Sequence, residues 1–219
     1  MKKSFYFFLA IYIAIVIYKA FKPRKQNKNN ISNFQNENII KNIIKTNDTS
    51  IKNRNIPEFL ELKKVPNMGE GLFAKTNIKA ASSIGEYFGN LINNTDLNKK
   101  IKLFPNVQRY AFNVSPDKNI DVTDENGNLF ENCYLTKVNE PPKGVMENII
   151  AFRSKNDKIY FITIKDIIPG EQLYISYGKK YERNYETNTN MKYPGWIVKT
   201  IDDILVKYPN LIKPEIKFV

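Results

Sequence analysis

Asp166-Ile167-Ile168-Pro169-Gly170-Glu171-Gln172-Leu173-Tyr174-Ile175-Ser176-Tyr177-Gly178 places a Pro-Gly turn ahead of a segment of alternating polarity. The period of two predicts a strand over Gln172 to Tyr177, with Leu173, Ile175 and Tyr177 on one face. Tyr177 then stands at the end of an apolar face, where its hydroxyl needs a hydrogen-bond partner. Two partners are open at this level: a backbone carbonyl of the core, or a reacting group in a site.

Working outward, the same short apolar segments recur. Leu60 to Leu62, Leu72 to Ala74, Ser83 to Gly89, Gln108 to Val114, Asn119 to Val122, Asn148 to Phe152 and Lys158 to Lys165 all read as strands. Asp124-Glu125-Asn126-Gly127-Asn128 is a turn, Asp96 to Lys102 a helical insertion, and Gly195 to Tyr208 a C-terminal helix packing on the domain. Many short strands and few helical periods predict a mostly-β fold with short helices.

Composition removes several chemistries. The 219 residues include no histidine, which excludes Ser-His-Asp and Cys-His centres, HExxH zinc sites and a histidine base. A single cysteine, Cys133, allows no internal disulfide and no cysteine-rich zinc cluster, and no metal site is expected. Tyrosine, with 13 copies, is the abundant group of chemical use. The net charge of +12 admits nucleic acid, anionic lipid or an acidic protein as partner. Lys2, Lys3, Lys19, Lys22, Arg24, Lys25 and Lys28 all precede the patterned region, however, and no nucleic-acid motif is recognisable. Direct nucleic-acid binding is therefore not expected.

Residues 1–25 hold an apolar run from Phe5 to Phe21, broken only by Lys19 and followed by Lys22-Pro23-Arg24-Lys25. If Lys19 snorkels, the run suffices for a membrane-spanning helix, and no small-residue cleavage site follows it. The excess of Lys and Arg on its C-terminal side predicts a single-pass anchor with the downstream domain facing the cytoplasm. The lone cysteine agrees with a reducing compartment. Residues 26–56 read as a polar, Asn-rich stalk, 57–182 as the main domain and 183–219 as a C-terminal extension.

Val65-Pro66-Asn67-Met68-Gly69-Glu70-Gly71-Leu72-Phe73-Ala74 followed by Ile84-Gly85-Glu86-Tyr87-Phe88-Gly89 resembles the opening of a SET domain. Ile120-Asp121-Val122 with Gly127-Asn128, then Thr136-Lys137-Val138-Asn139, Asn148 to Phe152 and Asp166 to Gly178, follow in the family's order. The chain thus resembles the SET-domain protein lysine methyltransferase family. The resemblance implies a SET-type β-fold with a knot-like C-terminal crossing, here preceded by an N-terminal transmembrane helix. It implies S-adenosylmethionine as cofactor and a lysine-bearing protein, a histone or other basic tail, as substrate. Tyr177 takes the catalytic position and Tyr87 lines the lysine channel. Met68, Gly69, Glu70, Gly71, Asn139 and Asn148 form the cofactor-binding set, with Asn148 bracing the crossing.

Three departures stand out. Glu140 replaces the family's histidine after the first asparagine, and the long Asn139–Asn148 interval resembles that of the PR-domain branch. Thr136-Lys137 replaces an Arg-aromatic pair. No zinc module precedes or follows the domain, so the tail beyond Tyr181 must close the lysine channel itself. Methyl transfer from a sulfonium suits the remaining inventory, because it needs alignment and water exclusion rather than a protein nucleophile or metal. The alternative is a catalytically degenerate SET fold acting as a membrane-tethered interaction module, with Lys137 and Glu140 as marks of lost cofactor binding.

Overall fold

A computed structural model describes residues 56–131, 133–179, 181–186 and 193–215. The membrane anchor expected at 1–25 and nearly all of the stalk lie outside these residues. Among the described residues no helix is long and apolar enough to cross a membrane.

Among the described residues eight strands, β1 (Leu60–Val65), β2 (Gly69–Ala74), β3 (Ser83–Glu86), β4 (Asn90–Asn93), β5 (Phe112–Ser115), β6 (Lys118–Asp121), β7 (Ile149–Arg153) and β8 (Ile159–Thr163), form three small antiparallel sheets, ordered β1-β2, β3-β8-β7 and β4-β6-β5. β1 (Leu60–Val65) and β2 (Gly69–Ala74) make a hairpin whose turn follows from its residues. Pro66 presets its own φ, and Asn67 accepts a φ of +62°, which asparagine tolerates better than most residues.

The middle sheet is apolar on both faces. In β7 (Ile149–Arg153) and β8 (Ile159–Thr163), Ile149, Ile159 and Phe161 point into the main core with Leu72, Tyr87 and Leu173. Their neighbours Ile150, Phe152 and Ile162 point the other way, against Ile197, Ile201 and Ile204 of α2 (Trp196–Lys207). These three isoleucines share one helix face and are fully buried. Each contributes about 1.5–3 kcal/mol of transfer free energy, enough to dock the helix.

The third sheet joins β4 (Asn90–Asn93), β5 (Phe112–Ser115) and β6 (Lys118–Asp121) to helix α1 (Asn94–Leu103). Asn93 caps α1 by accepting from the Asp96 N–H, and Lys100 on its inner face is 0% exposed. Lys100 Nζ donates to Asp121 Oδ2 at 2.5 Å and to the Thr123 carbonyl at 3.0 Å.

One strand was not expected, and two strand expectations need correction. β4 lies in Asn90-Leu91-Ile92-Asn93, which carries no clear pattern alone and is drawn into the sheet by pairing with β6. The strand expected from Gln108 begins only at Phe112, because Pro105 opens a 3₁₀ turn over Pro105–Arg109. Residues 172–177 are extended, with Leu173 and Ile175 buried as the alternation predicts, but they pair only through isolated bridges of Gln172 to Phe73 and of Tyr174 to Asn139. The backbone neighbours of that segment come from separate loops, so no continuous ladder forms.

Candidate functional site

Tyr87 leaves the end of β3 (Ser83–Glu86) with its N–H donated to the Ile159 carbonyl. Its ring, only 5% exposed, stacks on Phe161 at 5.4 Å and meets Phe112 at 5.3 Å. Its hydroxyl donates to the Tyr110 carbonyl at 2.8 Å. Burial, with Cys133, Tyr177, Tyr110 and Asp121 nearby, pushes the phenol well above its ordinary pKa, so Tyr87 stays neutral.

Tyr177 comes to the same place from the end of the extended 172–177 segment. It is half-buried, and its hydroxyl donates to the Val138 carbonyl at 3.0 Å. Its ring lies 4.8 Å from that of Tyr181 at 58°. Burial first, and the neighbouring Tyr185, Tyr181 and Glu140 next, raise its pKa. Tyr87 and Tyr177 both line a cavity of about 480 Å³ that has Met68, Gly69, Glu70, Lys137 and Asn139 on its wall.

The turn at Met68 to Glu70 is tied across to Asn139, whose Nδ2 donates to the Glu70 carbonyl at 3.1 Å. Lys137, in the 3₁₀ turn Tyr134–Lys137, reaches back to the Glu70 carboxylate at 2.8 Å. The Lys137 hydrogen bond and charge hold that carboxyl below its ordinary range. Gly69 has a φ of +76° and nothing within 4 Å of where a Cβ would stand, so its backbone is open to the cavity.

Two expected site residues stand behind the wall. A methyl group at Gly71 would come within 2.5 Å of Gln172 Nε2 and 3.1 Å of Asn139 Nδ2, so the missing side chain lets Gln172 and Asn139 close up. The Gln172 Nε2 is itself buried without a hydrogen-bond partner among the described residues. Asn148 does not reach the cavity. Its Nδ2 donates to the Gln172 carbonyl at 2.8 Å, and its Oδ1 accepts from the Tyr174 N–H at 2.8 Å. The Asn139 carbonyl meanwhile accepts from Ile175 N–H. The segment that delivers Tyr177 is therefore stitched to both asparagines.

Sequence reasoning missed the partners that surround these residues. Tyr110 and Val138 act through their carbonyls, which no side-chain pattern reveals. Arg109, Tyr181 and Arg183 sit outside the motifs, and the run of tyrosines near 174–185 is the one sign that could have pointed there. Glu140 stood out only as a departure. It is buried, and its carboxylate accepts from the Tyr177 N–H at 3.0 Å, from Arg183 at 2.6 Å through two nitrogens, and from the Tyr185 hydroxyl at 3.1 Å.

The arrangement is an aromatic channel ending in hydroxyl and carbonyl oxygens, beside an open glycine backbone and a carboxamide. No Ser, Cys or His side chain lines it among the described residues. It can orient an amine and shed water, and the Thr136 hydroxyl and Lys137 amine on its wall are engaged by the Cys133 carbonyl and the Glu70 carboxylate. No curated protein matches the chain. The family model described as "SET domain" matches residues 69–178, half of the sequence, beginning at the open glycine and ending one residue beyond Tyr177. On that match, and with Tyr87 and Tyr177 brought into one cavity, the chain belongs to the SET-domain family.

Proposed function

We propose that the chain transfers a methyl group from S-adenosylmethionine to the side-chain amine of a lysine in a protein substrate, a histone or another basic tail. SET-domain proteins are in general protein lysine methyltransferases, and the observation that carries the reading is the meeting of Tyr87 and Tyr177 with Met68 to Glu70 and Asn139 around one cavity. Its volume, about 480 Å³, lies within the usual range of small-molecule sites.

The residues present fit the cofactor. The open Gly69 backbone, the Glu70 carboxylate and the Asn139 carboxamide would hold its polar end, and the close approach of Gln172 and Asn139 over Gly71 leaves that wall smooth. Bound there, S-adenosylmethionine supplies an electrophilic methyl on a sulfonium. The protein supplies alignment. Tyr87 and Tyr177 remain neutral phenols, and because each donates its proton to a backbone carbonyl, each oxygen is left to accept from the lysine amine. The faces of Phe112, Phe161 and Tyr181 favour the cationic product and exclude water.

The two departures that favour a degenerate scaffold both have partners of their own. Glu140 is engaged by Arg183, and Lys137 by Glu70. Neither contact removes the channel between the tyrosines. The Phe5 to Phe21 run further supports a single-pass tether holding this domain on the cytoplasmic side of a membrane.

Calorimetry on the full chain in detergent tests the cofactor directly. S-adenosylmethionine should bind with a Kd in the micromolar range or tighter, about −8 kcal/mol, and Asn139→Ala should weaken it by roughly tenfold or more. No heat at millimolar cofactor would leave the interaction-module reading in its place.

A further inference from the structure

The family match stops at Gly178, yet the cavity does not. Tyr181 lines it, together with two adjoining grooves, one running past Phe112 and Ser176 and the other past Met68 and Tyr185. Tyr181 therefore stands where three openings meet, packed on the Tyr177 ring. No apolar core holds this part of the tail, whose 182–186 residues are mostly exposed. An ion pair holds it instead. The Arg183 and Glu140 side chains are 8% and 3% exposed and form a forked pair at 2.6 Å. Arg183 also donates to the Tyr181 and Gly178 carbonyls, each at 2.6 Å, so one guanidinium fixes both ends of the turn that presents Tyr181. Tyr185 adds a third hold on the Glu140 carboxylate.

We infer that Glu140 and Arg183 form a clamp that positions Tyr181 as the closing side chain of the Tyr177 channel. The inference rests on the proposed reading of that cavity as a lysine channel. Arg183 is a positioning residue: its guanidinium lies over the Tyr181 ring, 5.4 Å from the centroid, and holds the backbone of 178 and 181. A forked, buried guanidinium–carboxylate pair is geometrically specific in a way a single lysine contact is not.

The test uses the full chain with Arg183→Gln, which leaves the Glu140–Tyr177 N–H bond in place. Amide hydrogen exchange across residues 178–186 should accelerate on the order of tenfold or more. KM for the acceptor lysine should rise roughly tenfold with a smaller change in kcat, because the channel loses its closing wall and keeps its reacting groups. Arg183→Lys should recover part of both. If Arg183→Gln does not fold, Glu140→Gln with Arg183→Gln, which leaves no buried charge unpaired, is read the same way. Unchanged exchange would overturn the clamp, and faster exchange with unchanged KM would overturn the role of Tyr181 in closure. A wild-type protein that methylates nothing would sink the proposed reaction, while the exchange measurement would still decide whether the clamp exists.

Discussion

Tyr177 faces two demands that meet at one hydroxyl. Its bond to the Val138 carbonyl is what any buried tyrosine requires, and its place in the channel beside Tyr87 is what methyl transfer requires. Tyr177→Phe separates them. A packing role alone would cost about 1 kcal/mol of stability and leave turnover nearly intact. The proposed role requires a fall in turnover of roughly tenfold to a thousandfold, on the order of 1.4–4 kcal/mol of barrier, with cofactor affinity little changed. Steady-state kinetics of the folded variant, with calorimetry for the cofactor, reads both. At this scale the order of motifs along the chain singled out Tyr87, Asn139 and Tyr177, and the structure brings all three to the wall of one cavity. It did not show Glu140 with Arg183, because partners 43 positions apart leave no periodicity to read.

At the scale of elements, the strands that could be read are the ones whose side chains decide their own environment. Ile149 to Phe152 and Ile159 to Ile162 are apolar at every step, or nearly so, because both faces of their sheet are covered. The isoleucine spacing of α2 was equally plain. β4 was not, since two asparagines flank its two apolar residues and its strand character comes from β6. Helix α1 shows a further limit: Lys100 reads as solvent-facing until its ammonium is seen buried against Asp121. That pair predicts an asymmetry. Asp121→Ala strands a buried charge and should lower the unfolding free energy by about 3–5 kcal/mol in chemical denaturation. Lys100→Met combined with Asp121→Asn should cost distinctly less, because no charge is left without a partner. Equal losses in the two proteins would mean that the ion pair does not hold α1 to the sheet.

For the whole molecule, the two-sided central sheet divides labour. One face carries the core that ends at Tyr87 and Tyr177, and the other anchors α2, so the wall of the cavity and the helical support are built from the same two strands. Arg183, beyond the family match, is tied back to Glu140 beside that cavity. Much of the +12 charge sits ahead of this domain in the sequence. The central claim is methyl transfer to lysine. Its most direct measurement is transfer of labelled methyl from S-adenosylmethionine to core histones and to a whole-cell protein extract, followed by identification of the labelled residue. Label on lysine in one or more proteins, lost with Tyr177→Phe, is the expected result; a chain that binds the cofactor yet places no label on any protein lysine would contradict it.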